Sequence, residues 1–139
     1  MFSKSNLLAT LAGAITMFFL GYLIWGVLTA SLFEEHTLID FMKDPPDFLF
    51  IILGNLFGAF AMSTLYGKWA RGIHSAKEGA EFGALFGVFV GLGAWFVQYA
   101  TANLMDLNGY LINVPLEIIY YVVVGVVIAL VYKATRPKE

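Results

Sequence analysis

The chain has 139 residues, 60% of them hydrophobic and 13% charged, with a formal net charge of -2 and no cysteine. A soluble domain carries about 25% charged residues, so this deficit excludes an ordinary water-soluble fold and points to lipid as the solvent. The lack of cysteine excludes disulfides, thiolate catalysis and Cys-ligated metals. The few charges are divided between loops, and no nucleic-acid partner is expected.

A membrane span needs about 20 mainly apolar residues. Four such stretches fit, which predicts an all-α, four-transmembrane-helix antiparallel bundle forming one domain over residues 1–139. The first span is expected over Asn6 to Leu32. Its apolar run is too long for the apolar core of a signal peptide, about 7–15 residues, so a retained anchor is predicted. Ala9, Gly13, Met17, Gly21, Trp25 and Thr29 form one i, i+4 row, expected to face the bundle. Leu8, Leu11, Phe18 and Leu23 are left for lipid or other neighbours.

The loop after this span is acidic, with Glu34, Glu35, Asp40, Asp44 and Asp47 against Lys43. Leu38, Ile39, Phe41 and Met42 are expected on one side of a short helix lying on the membrane surface. Pro45-Pro46 ends it and opens the second span, Pro46 to Arg71, because proline is tolerated in a first helical turn. That span holds Gly54 and Gly58 with Asn55 beside them, and Gly72 is a candidate C-terminal cap. Ser75 followed by Glu78 is a capping box. It leaves a link of three or four residues, so spans two and three are expected as antiparallel neighbours.

The third span, Ala76 to Asn103, carries glycine at every fourth position: Gly79, Gly83, Gly87 and Gly91. In water each would weaken a helix by about 1 kcal/mol relative to alanine. In a bilayer, small residues at this spacing let two backbones approach. The row continues through Trp95, Tyr99 and Asn103. Leu107-Asn108-Gly109 reads as a turn, and the fourth span as Tyr110 to Tyr132. Either Asn113 caps that helix with Pro115 in its first turn, or the helix begins near Gly109 and bends at Pro115.

Span four has its own row, Glu117, Tyr121, Gly125, Ala129 and Lys133. A reversal at Asn108 would pair Gly91 with Gly125, Gly87 with Ala129, Trp95 with Tyr121 and Tyr99 with Glu117. Gly79, Gly83, Gly87, Gly91, Gly125 and Ala129 are therefore the expected helix-packing residues.

Orientation comes from the basic residues. Lys4, Lys68, Arg71, Lys77, Lys133, Arg136 and Lys138 fall on one side and Lys43 alone on the other. The positive-inside rule then places both termini in the cytoplasm, in a multi-pass protein of the cytoplasmic (inner) membrane of a bacterium.

Glu117 is the one acidic residue expected within the apolar part of a span, roughly 8–10 Å from the outer boundary at 1.5 Å per residue. Asn55, Gln98, Tyr99 and Trp25 fall in the same layer. Intramembrane carboxylates usually face the bundle interior or water and often mark pathways. One reading is thus a polar pocket opening outward, with Glu117 as a proton carrier or cation site. The other is structural: Glu117 suits the positive end of its helix dipole and locks the bundle by bonding Tyr99 or Gln98.

No cofactor and no metal are expected. His36 and His74 fall on opposite sides, so they cannot share an intramembrane haem. No HExxH, GxSxG or phosphate loop occurs. His36 with Glu34 and Glu35 is the one loop cluster with catalytic side-chain types, and it reads as solvated surface.

The run Gly83-Ala84-Leu85-Phe86-Gly87 through Gly91, then Thr101 and Asn103, and Leu111-Ile112-Asn113 resembles an uncharacterised bacterial family of small four-helix membrane proteins, a domain of unknown function. Its members share an early aromatic segment near Tyr22 to Trp25 and a glycine-rich third span. The family tends to have a proline soon after the aromatic pair, which is absent here. It often has histidine four residues after the asparagine of its last helix, where this chain has Glu117. The resemblance implies the fold and supplies no activity. The expected function is non-enzymatic: an accessory or structural subunit whose partners are the lipid bilayer and other membrane subunits or a second copy. The alternative is a small proton-coupled transporter or ligand-binding membrane protein.

Overall fold

The computed structural model describes residues 2–135. Arg136 and Lys138, two of the basic residues used for orientation, lie outside the described residues. Four helices are long and apolar enough to cross a membrane: α1 (Lys4–Leu28), α3 (Phe48–Trp69), α4 (Ala76–Thr101) and α5 (Leu107–Thr135). A short α2 (Ala30–His36) comes after α1. Two spans are not α-helical throughout. Tyr22–Leu28 at the end of α1 and Phe89–Ala94 inside α4 are wound as π-helix.

Each span starts at a side-chain cap that satisfies a free N–H of its first turn. Ser3 accepts from Asn6 N at 3.2 Å, Asp47 from Phe50 N at 3.4 Å, Ser75 from Glu78 N at 3.1 Å and Asp106 from Gly109 N at 2.8 Å. The Asp47 cap places Pro45-Pro46 ahead of α3 rather than in its first turn. α3 ends at Trp69, and the chain turns through Arg71 (φ 47°) and Gly72 (φ 85°).

The helices form an arc in the order α3, α1, α5, α4. α1 packs on α3 and on α5, and α4 packs on α5. α3 and α4 meet only near their short link, where the Phe82 ring packs on Tyr66 and Trp69, so the expected neighbours are antiparallel but diverge from there. The reason is that each already has a better face. Gly13 of α1 opens onto Ala59 of α3, while the glycines of α4 open onto the α5 backbone. The core holds Tyr66, Tyr110, Met62, Ile128, Val124 and Ser63, all fully buried. Phe19, Phe50, Phe57 and Phe89 point outward at 65–68% exposure. An apolar exterior of this size suits lipid, not water.

The α4–α5 register differs from the expected one. Gly125 meets Gly79 and Gly83, not Gly91, which shifts the pairing by 8 to 12 residues, about two to three turns. Gly87 faces Glu117 and Ile118 rather than Ala129, which lies against Gly79. Trp95 and Tyr99 pack against Tyr110. The cause is the Asp106 cap. It starts α5 at Leu107, so Asn108 and Gly109 lie inside its first turn and the reversal falls in residues 102–106. α5 runs unbroken past Pro115, and Asn113 is a helix-interior residue rather than a cap.

The expected surface helix over Leu38 to Met42 does not form. Residues 37–47 are irregular, and the helix of this loop is α2, just before them. Thr37 Oγ1 donates to Phe33 O at 2.7 Å and closes α2. Leu38 N then bonds Leu104 O at 2.8 Å and Asp106 N bonds His36 O at 3.0 Å. These two bonds hold the loop against the α4–α5 link in extended form.

Candidate functional site

Asn113 and Glu117 are one helical turn apart on α5 and both are buried. At i, i+4 they share a face, and Asn113 Nδ2 donates to Glu117 Oε1 at 3.4 Å. A tryptophan reaches this pair from each side. Trp25 Nε1 of α1 donates to Asn113 Oδ1 at 2.8 Å, and Trp95 Nε1 of α4 donates to Glu117 Oε1 at 2.9 Å. Both indoles depend on the π windings. Trp25 sits inside one, and Trp95 comes directly after the other. A π turn adds a residue per turn and rotates the rest of the helix about its axis, which is why such turns gather at functional sites.

Small residues set the reach. A Cβ on Gly91 would stand 3.3 Å from Glu117 Cβ, and one on Gly21 would stand 3.7 Å from the Tyr120 ring. Gly91 lets the α4 and α5 backbones close in, Gly21 leaves room for the Tyr120 ring, and in each case the tryptophan four residues later reaches the pair. The Trp25 and Tyr120 rings meet edge to face at 5.1 Å, and Tyr120 donates to Met17 O at 3.2 Å. Above this layer Tyr110 donates to Gln98 Oε1 at 3.3 Å, and the Tyr99 ring lies 5.5 Å from Tyr110.

Of the five residues expected in the polar layer, Trp25 and Glu117 are thus joined through Asn113. Gln98 and Tyr99 form the adjoining storey around Tyr110. Neither Gln98 nor Tyr99 bonds Glu117; the donors are Trp95 and Asn113. Asn55 is half-buried on α3, at the edge of the arc, and takes no part in these bonds. Sequence patterns suggest Asn113 only as a possible cap. Its real signal is the i+4 spacing to Glu117.

A second polar cluster, not expected from the sequence, sits at the basic end. Ser63 Oγ donates to Asn6 Oδ1 at 2.6 Å, Asn6 Nδ2 donates to Thr64 Oγ1 at 3.0 Å, and Tyr132 donates to Asn6 Oδ1 at 3.2 Å and to Ser63 O at 3.1 Å. This ties α1, α3 and α5 together. Asn6 and the Ser63-Thr64 pair are polar residues inside apolar spans, and that was the available clue. At the opposite end His36 Nδ1 lies 3.0 Å from Asp106 Oδ2. The His36 hydrogen bond, with further bonds from the Gly109 and Asn108 amides, holds the Asp106 carboxyl below its ordinary value. His36 is thus engaged by Asp106, while Glu34 and Glu35 are exposed.

No family model, curated protein or solved structure matches this chain. Length and apolarity make it a small multi-pass membrane protein. Its central site is a carboxylate held by two neutral donors, both on one oxygen. Among the described residues no three His, Cys, Asp or Glu side chains gather as a metal set. Such a carboxylate can bind a cation or a proton, or it can hold three helices together.

Proposed function

We propose that this chain is a non-enzymatic membrane protein that works by assembly, as an accessory or structural subunit joined to a second copy or to another membrane protein. The observation that carries this reading is the outward face of α3. Gly54 and Gly58 form a G-x-x-x-G pair in an apolar helix, a spacing that favours close helix association in lipid. A Cβ on Gly54 would meet nothing within 4 Å, whereas every glycine of the α4 row is closed by α5. α3 is also the least buried of the four spans, and Asn55 lies beside the pair. In the cytoplasmic membrane of a bacterium, Lys4, Lys68, Arg71, Lys77 and Lys133 would lie at the inner end.

The test is association in lipid. The full chain, labelled and reconstituted at increasing dilution, should show energy transfer between copies, or should bring a membrane partner through purification in mild detergent. The double variant Gly54→Leu, Gly58→Leu should lose that association several-fold while keeping its helix content. A monomer with a tightly held small molecule and no partner would count against the reading.

A second reading is favoured by the electrostatics of Glu117, whose hydrogen bonds come from neutral donors and both end on Oε1. In this reading Glu117, Trp95, Asn113 and Trp25 form the binding layer of a small proton-coupled carrier. Glu117→Gln separates the two readings: assembly through α3 should survive it, and proton-coupled uptake should not.

A further inference from the structure

The basic end of the bundle has a hollow between the start of α1 and the last turns of α3. It has a volume of about 250 Å³ and is lined by Ser3, Asn6, Thr64, Gly67, Lys68 and Tyr132. At about 30 Å³ per water, that is room for roughly eight waters. We propose that this hollow binds a phosphate group at the membrane surface, carried by an anionic phospholipid or by a soluble phosphate.

The donor chemistry favours an anion. Asn6 and Tyr132 form a floor whose bonds are already made, to Thr64 and to one another. Ser3 Oγ accepts from Asn6 N, and Thr64 Oγ1 accepts from Asn6 Nδ2. Each hydroxyl therefore keeps its own hydrogen to donate. Lys68 is exposed at the rim and adds an ammonium with three N–H donors. Among the described residues no carboxylate lines the hollow. Gly67 completes the shape: a Cβ there would stand 2.7 Å from the Tyr132 hydroxyl, so only glycine lets the wall lie this close to the floor.

A second hollow at the same end makes the contrast. It measures about 310 Å³ and is lined by Trp69, Ala70, Arg71, Ile73 and Glu78. There a carboxylate shares the space with the one cation, which works against an anion. Depth fits as well. Lys68 lies in the last turn of α3, where that span leaves the apolar layer, and basic pockets between spans at this level suit phospholipid headgroups.

The experiment is native mass spectrometry of the full chain in mild detergent, with phosphatidylglycerol and phosphatidylcholine supplied in equal amounts. Wild type should retain phosphatidylglycerol preferentially. Lys68→Gln should weaken that retention about fivefold, the value of one cation near the surface. Lys77→Gln, exposed at the same end but outside the hollow, should leave it unchanged. Thr64→Val removes the hydroxyl donor, together with the acceptor of Asn6 Nδ2, while keeping shape, and should also lower retention in protein whose circular dichroism matches wild type. If Thr64→Val does not fold, the Lys68 and Lys77 pair decides alone. Displacement of the lipid by inorganic phosphate would assign the site to a soluble phosphate, and resistance to it would assign the site to a lipid. Equal retention by wild type and Lys68→Gln, or equal loss in Lys68→Gln and Lys77→Gln, would overturn the proposal.

Discussion

Replacing single glycines by alanine should grade the bundle's stability by what each new methyl meets. On Gly83 it would run into the Tyr121 carbonyl oxygen and stand 2.8 Å from Val122 Cα. On Gly87 it would stand 2.5 Å from Ile118 Cα. Carbon pairs rest at about 3.5–4.0 Å, and a radial gap of about 0.5–1 Å forfeits a quarter to a half of each contact. To clear these backbone atoms α4 and α5 must part by roughly that much or more, along the most extensive helix contact in the molecule. Overpacking costs about 1–3 kcal/mol, and alanine's better helix propensity offsets about 1 kcal/mol. Gly83→Ala and Gly87→Ala should therefore lose about 2 kcal/mol, with backbone contacts placing them near the upper end. Gly91→Ala has 3.3 Å to its nearest atoms and should change little. Gly54→Ala meets nothing within 4 Å and should hold or gain stability. Reversible unfolding in mixed micelles, followed by circular dichroism, measures the series. Gly83→Ala as stable as Gly54→Ala would refute the contact geometry on which this reasoning rests.

The polar layer and the His36–Asp106 clasp give two further tests. Glu117→Gln keeps an acceptor for Trp95 and Asn113, so a purely structural role predicts nearly unchanged stability; Trp95→Phe removes one donor and should cost about 1–3 kcal/mol in the same unfolding assay. If Glu117 instead moves a proton or a cation, Glu117→Gln should abolish the pH dependence of uptake by reconstituted vesicles, and unchanged uptake would exclude the carrier. At the clasp, the Asp106 carboxyl is lowered in the folded protein, so its contribution is present above the unfolded value near 3.8 and is lost as pH falls through the folded one. Thermal unfolding of wild type should weaken with acidification below that point. Asp106→Asn, which retains a good cap, should flatten this part of the pH profile, and identical profiles would show that His36 does not act on Asp106.

The spans were legible because lipid asks for length and apolarity before anything else. The inward row of α1 was legible for the same reason: Ala9, Gly13 and Met17 are small or flexible where Leu8 and Leu11 are bulky, and the former are buried while the latter are exposed. The α4–α5 register was not. Asn108-Gly109 carries strong local turn chemistry, but Asp106 three residues before Gly109 offers a helix cap, and the cap prevailed. Depth alone also misplaced Asn55. It lies in a span of the right length, yet depth says nothing about where around the bundle a residue falls. The order α3, α1, α5, α4 keeps it away from Glu117. The π turns are invisible to a search for 3.6-residue periodicity. Even so, the two rows held the pattern Gly21-Trp25 and Gly91-Trp95, a small residue succeeded one turn later by the longest indole reach, and both tryptophans end on the same pair.

The two polar clusters divide the bundle in a way that bears on its function. The one around Glu117 joins α1, α5 and α4 through Trp25, Asn113, Glu117 and Trp95. The one at the basic end joins α1, α3 and α5 through Asn6, Ser63, Thr64 and Tyr132. α1 and α5 belong to both, and they are the middle of the arc. α4 is secured by its glycines along much of its length. Among the described residues, α3 is fastened to the rest of the fold by side-chain hydrogen bonds at its basic end, through Ser63, Thr64 and Tyr66. Its N-terminal half meets α1 more loosely: a Cβ on Gly58 would still stand 3.9 Å from the Met17 sulfur. The Gly54-Gly58 face lies in that less fastened half. A helix held at one end, with a close-approach motif and an amide at the other, can exchange lipid for a neighbouring helix without breaking either cluster. This is the physical reason for proposing assembly through α3, which leaves the Glu117 layer intact.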